Sequence, residues 1–152
     1  MKLALSSVVP ASRERVFAAL VDPQILRAVI PGCEALEPTG PDTYAVTLKV
    51  GAAGLKGTYK GKAEVRDKHP PESLTLAFEG AGSPGFVRGS AAIALSEEGD
   101  GTRIASEADV VVGGLVALVG SRLIEATAKK LSEVFFGSLA RELIMPSGAA
   151  KP

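Results

Sequence analysis

Tryptophan is absent from the sequence, and cysteine and histidine occur once each, as Cys33 and His69. A single cysteine excludes an intrachain disulfide, and one cysteine with one histidine cannot supply the ligand set of a zinc site. Net charge is lacking too, because 17 basic and 17 acidic residues balance to +0. No global field steers the chain onto nucleic acid or anionic lipid. Long apolar runs are missing as well: the most apolar window, Val110 to Gly120, lies between Asp109 and Arg122 and is well short of the ~20 residues that span a bilayer. The opening MKLALSSVVPASRER has too short an apolar stretch for a secretory leader and no small-residue cleavage site. These absences predict a cytoplasmic protein whose thiol stays reduced.

What is present suits one domain over residues 1–144, since 46% of the 152 residues are hydrophobic and can bury a core unaided. The remaining MPSGAAKP, 145–152, is expected to be a flexible tail. KLALSSVV reads as an edge strand. Ser12 is placed to cap a short helix to about Leu20, and Asp22 before Pro23 repeats that signal for a second helix to Val29, which Pro31 and Gly32 end. From Thr43 to Val112 the pattern alternates. In LKGTYKGKAEVR, Leu55, Gly57, Tyr59, Gly61, Ala63 and Val65 share one face, opposite Lys56, Thr58, Lys60, Lys62, Glu64 and Arg66. The breaks GAAG, HPPE, GSPG and EEGDGT mark turns of an antiparallel meander. From Leu115 to Ile144 an apolar residue or threonine recurs every four positions, at Val119, Leu123, Thr127, Leu131, Phe135, Leu139 and Leu143, which predicts one long amphipathic helix. A sheet and a helix that each have one apolar side satisfy one another, giving an α+β domain with the sheet curved around the helix.

A hairpin closed about Gly99 pairs Leu95 with Ile104, Ile93 with Ser106, Ala91 with Ala108 and Gly89 with Val110, all on the inward face. Mid-strand inward positions are then small: Gly61, Ala63, Gly89, Ala91, Ser106 and Ala108. Either the helix lies unusually close to this belt or a cavity remains, since interiors pack near crystal density. A cavity there would be walled by Tyr44, Leu48, Tyr59, Phe78, Val87 and Val110 from the sheet and by Val119 and Leu123 from the helix. Such an apolar wall with two phenols suits a lipophilic ligand.

Reactive groups are sparse. Cys33 has no base nearby in the pattern and is read as a structural thiol. His69, in KHPPE, reads as a solvated turn residue, and the EEGDG carboxylates lack the ligand spacing of a calcium loop. The Lys56, Lys60, Lys62 and Arg66 face has no interleaved aromatics for base stacking, so it reads as a solvated outer face. The glycines of VGAAGLKGTYKG lack the ending of a phosphate loop. No catalytic set and no metal site emerges.

The segments DPQILRAVIPGCEALE, LKGTYKGKAEV, GSPGFVRGSAAIAL and GTRIASEADVVVGGLVALVGSRLIEATAKKLSEVFF together resemble the carbon monoxide dehydrogenase G-subunit family, within the START-like helix-grip (SRPBCC) superfamily. The resemblance spans about Lys2 to Leu143. It implies a curved seven-stranded antiparallel sheet wrapped around a long C-terminal helix, with two short helices after the first strand and an internal cavity for hydrophobic ligands. It also implies a lid at Ile25, Val29, Ile30, Pro31 and Gly32. No catalytic residue is carried over. The implied role is that of an accessory protein to a molybdenum-containing hydroxylase, in membrane recruitment or delivery of a quinone-type electron acceptor. A quinone or other lipophilic molecule is the expected ligand, and no other cofactor is expected. Some members of the family carry a further C-terminal hydrophobic segment that this chain lacks, so stable anchoring is not expected and membrane contact would be transient, at the inner face. Two other readings use the same fold: a polyketide-cyclase-like enzyme with Tyr44 or Tyr59 as acid or base, and a ligand-free protein-interaction domain.

Overall fold

The computed structural model describes residues 1–52 and 54–144; the expected tail, 145–152, lies outside the described residues. Both short helices begin where their capping chemistry places them. The Ser12 hydroxyl accepts from the Arg15 backbone N–H at 3.3 Å and starts α1 (Arg13–Leu20). The Asp22 carboxylate accepts from the Gln24 N–H at 2.9 Å and, with Pro23 pre-set for the first helical position, starts α2 (Pro23–Val29). Before them lies β1 (Lys2–Val9); after them come β2 (Cys33–Gly40), β3 (Thr43–Val50), β4 (Gly57–His69), β5 (Ser73–Gly82), β6 (Gly85–Glu98) and β7 (Gly101–Gly113). The strands form one antiparallel sheet in the order β1-β7-β6-β5-β4-β3-β2. The chain thus crosses from one sheet edge to the other through α1 and α2, then meanders back. Those helices span one end of the sheet for that reason.

The β6–β7 register pairs Leu95 with Ile104, Ile93 with Ser106, Ala91 with Ala108 and Gly89 with Val110, as the alternation predicts. Sheet curvature has a backbone cause. A Cβ built on Gly61 would fall on the Glu79 carbonyl oxygen of β5, and one on Gly89 would fall on the Asp109 carbonyl oxygen of β7. Neighbouring strands fold over these two positions, which only glycine permits. β4 begins at Gly57, so Leu55, expected on the strand, is a buried residue of the preceding turn.

The C-terminal helix differs from the expectation of one element from Leu115. A 3-10 segment, Gly114–Val119, comes first, and Gly120, at φ +89°, separates it from α3 (Ser121–Ile144). The apolar repeat also fails to make one buried stripe. At 3.6 residues per turn a four-residue step overshoots by about 40°, so Leu139 is turned by about 160° from Leu123. Leu139 is 0% exposed, Leu143 is buried, and Leu123 is 40% exposed.

The close-packed core accordingly occupies one end of the molecule. Val16, Phe17 and Leu20 of α1, Val65, Leu74, Leu95 and Ile104 of the sheet, and Leu139 and Leu143 of α3 meet there. At its floor the fully buried Thr102 hydroxyl donates to the Ala11 carbonyl at 2.7 Å. Thr102→Val keeps the shape and orphans that carbonyl, so it is expected to cost about 1–3 kcal/mol in denaturant unfolding.

Candidate functional site

At the other end α3 approaches the sheet most closely along its β1 edge. Its backbone comes close to β1 and α2, with at most marginal approach to β3–β6 among the described residues. The inward residues beneath it are correspondingly incompletely covered. Leu48 of β3, Tyr59 and Gly61 of β4, Phe78 of β5, Val87 and Gly89 of β6, and Ala108 of β7 are all half-buried. An inward side chain keeps accessible surface only where space for water adjoins it, so a cleft runs between the sheet and the N-terminal half of α3. Ala91 and Val110 are buried at its margin, and Tyr44 sits within the core cluster at its base. Leu76 and Ile93, which the sequence reading did not place in the wall, belong to the same inward rows: Leu76 pairs with Ala91 and Ile93 with Ser106. Strict alternation through the belt was the signal that could have found them.

The mouth is built by three loops. A Cβ on Gly54 in the β3–β4 loop would lie 2.9 Å from Val119 Cγ1 and 3.3 Å from Leu123 Cδ2. Pro84, in the β5–β6 turn, accepts at its carbonyl from the Val116 N–H at 2.8 Å, and its ring fills the space beside Gly57. Tyr59 joins wall to mouth, its hydroxyl donating to the Leu55 carbonyl at 2.7 Å. Burial pushes its phenol pKa up. The PGC turn pins the α2 side: the Gly32 carbonyl accepts from the Lys49 N–H at 2.8 Å. Val29 is buried, while Ile25 and Ile30 pack half-buried on the core. Ile25 also lines a separate surface pocket of about 260 Å³ at the opposite end, with Arg15, Asp22 and Glu142.

The cleft is chemically quiet. None of the residues that line it is Asp, Glu or His, and among the described residues no three His, Cys, Asp or Glu gather as a metal set. Cys33 is partly buried, its Sγ–H donating weakly to the Ala35 carbonyl at 3.5 Å. Burial raises its thiol pKa against the smaller lowering effects of that bond and of Arg27. That shift disfavours the thiolate, the form in which a cysteine acts as a nucleophile. Cys33→Ser is expected to leave both unfolding midpoint and probe affinity within experimental scatter of the parent, measured by thermal melts and fluorescence titration.

A sheet that grips one helix around an apolar cleft now has its counterpart among known proteins. The family model for the G subunit of carbon monoxide dehydrogenase, CoxG, matches residues 6–144. The chain belongs to that family. A solved conserved protein from Geobacillus kaustophilus is 35% identical and superposes with a TM-score of 0.91 over 95% of either chain. A START superfamily protein from Mycobacterium smegmatis, 12% identical, superposes at 0.74 over 96% of this chain and 99% of its own, so the fold is START-like helix-grip. A Chromobacterium violaceum protein, 16% identical, gives 0.70 over 93% and 96%. Among curated proteins none matches the chain. No helix among the described residues is long and apolar enough to cross a membrane.

Proposed function

We propose that this CoxG-family domain is a non-enzymatic carrier that holds a lipophilic small molecule, quinone-like or lipid-like, in the cleft between β3–β7 and α3. Its partner is a molybdenum-containing hydroxylase of the carbon monoxide dehydrogenase type, which it serves by membrane recruitment or by delivering an electron acceptor. It works in the cytoplasm, with transient contact at the inner face of the membrane. The observation that carries this reading is the row of half-buried apolar residues beneath α3, Leu48, Phe78 and Val87 above all, where a folded core would leave none accessible.

The cleft supplies shape and dryness rather than a proton relay. Tyr59 already spends its proton on the Leu55 carbonyl, and its raised pKa makes it a poor base at neutral pH, which weighs against the cyclase-like reading. Organic extraction of the purified protein followed by mass spectrometry tests the proposal. A co-purifying quinone or lipid near one equivalent is the expected result. An empty extract, together with no uptake of ubiquinone or fatty-acid probes by the purified protein, would overturn it.

A further inference from the structure

An open sheet has two edges, and here they are finished differently. β2, at one edge, carries Pro38, which has no N–H to give, and its ladder with β3 shifts register between Cys33 and Ala35 and again between Pro38 and Gly40. β1, at the other edge, runs against β7 in unbroken register from Lys2 opposite Asp109 to Val9 opposite Thr102. The parity of that ladder is fixed at its start: the Met1 ammonium donates to the Val110 carbonyl at 2.7 Å, and the Val110 N–H donates to the Met1 carbonyl at 2.8 Å. In an antiparallel ladder such exchanging pairs alternate with pairs that exchange nothing, so Leu3, Leu5 and Ser7 also spend their backbone groups on β7. The N–H and C=O groups of Lys2, Ala4, Ser6 and Val8 therefore point away from the sheet. None of these backbone groups has a hydrogen-bond partner among the described residues. The Val8 side chain on this strand is also 44% exposed.

We propose that β1 is a pairing edge whose occupant is β1 of a second copy of this chain, antiparallel across a two-fold axis at Leu5. A row of free backbone donors and acceptors is completed by another extended strand, and this strand is complementary to itself. With the axis at Leu5, Lys2 faces Val8 of the second copy and Ala4 faces its Ser6. These are the residues whose backbone groups are free, so one register satisfies all of them. A slip in either direction that keeps the parity leaves Lys2 or Val8 unpaired, and a slip that changes it sets inward residues against outward ones. The same register keeps the Lys2 cations of the two copies apart and lays the Lys2 stem against the exposed Val8. On the inward side the half-buried Leu3 and Leu5 gain neighbours, Ser7 and Leu5 of the second copy. A chain of net charge +0 sets up no general repulsion between copies. Because the β2 edge is guarded, each copy has one open edge, and the assembly closes at two copies instead of growing into a fibre. A single pair of strands buries less than a standard interface, so the dimer is a weak, reversible one. None of this rests on the carrier reading above.

Sedimentation equilibrium of the full chain over a concentration series reaching the high micromolar range tests the edge. A reversible monomer–dimer equilibrium is expected. Ala4→Pro removes one free N–H without touching the β7 ladder, and proline is tolerated where an edge strand turns its N–H to solvent. It should abolish the dimer and leave the monomer's thermal midpoint close to the parent's. Two changes at Val8 read the register. Val8→Lys sets a cation opposite Lys2 of the second copy and should weaken association roughly fivefold or more, whereas Val8→Glu should strengthen it by a similar factor. Val8 also stands opposite Arg103 in its own ladder, so thermal midpoints of these variants are taken at a dilution where the chain is monomeric, separately from association. If Ala4→Pro unfolds the monomer, the two Val8 variants decide the matter, since both keep the backbone of the strand intact. A chain that stays monomeric throughout the series, growth beyond two copies, or a dimer that survives Ala4→Pro in a folded protein would overturn the proposal. So would Val8→Lys and Val8→Glu shifting association in the same direction, because the partner of Val8 would then not be Lys2.

Discussion

Ala108→Phe is expected to weaken uptake of a quinone or fatty-acid probe sharply while the protein remains folded. Ala108 faces inward from β7, opposite Ala91 of β6 and Leu3 of β1, and it retains accessible surface beneath α3. A phenyl ring at that position has the cleft to enter and takes the room a ligand needs. If the ligand must be forced past it at a steric cost of about 1–3 kcal/mol, affinity falls by roughly 5- to 150-fold. Ala91→Phe is the informative partner. Ala91 is itself buried, so an added ring there overpacks its neighbours and should lower stability by about 1–3 kcal/mol in addition to impairing uptake. Probe titration and thermal melts on both variants give the comparison. Unchanged affinity in Ala108→Phe would mean that the ligand space does not reach the belt.

Gly89→Ala and Gly61→Ala are expected to be strongly damaging single-methyl changes in the sheet. The new Cβ at either position coincides with a carbonyl oxygen of the adjacent strand, Asp109 in one case and Glu79 in the other. Those oxygens belong to the backbone of the ladder and cannot swing aside as a side chain would, so the strands must separate and flatten. A loss of about 3 kcal/mol or more in urea unfolding is expected for each. Gly51→Ala is the control: nothing lies within 4 Å of its Cβ position, and its effect should be within about 0.5 kcal/mol. Equal effects at Gly51 and Gly89 would detach the sheet's curvature from these contacts.

Much of the architecture was legible because its determinants are local or periodic. Ser12, Asp22 and Pro23 mark helix starts through bonds to residues two or three positions away, so no tertiary knowledge is needed to place them. The β6–β7 register follows from a tight turn about Gly99 and strict alternation, since a slip of one residue would turn every apolar side chain outward. The long helix was less legible. A four-residue repeat looks like one stripe on paper, but it drifts around a helix of 3.6 residues per turn, and only the C-terminal part meets the core.

By itself, then, the sequence determined the α+β class, the meander, the two capped helices, the inward small belt and the family, all of which depend on neighbouring residues or on period. The choice between a close helix contact and a cleft was undetermined, because small residues serve both equally. Tertiary structure bears on it through burial: Leu48, Phe78 and Val87 face inward beneath α3 yet keep accessible surface. Structure also divided the glycines by cause, with Gly61 and Gly89 yielding to neighbouring backbone and Gly57 yielding to the Pro84 ring.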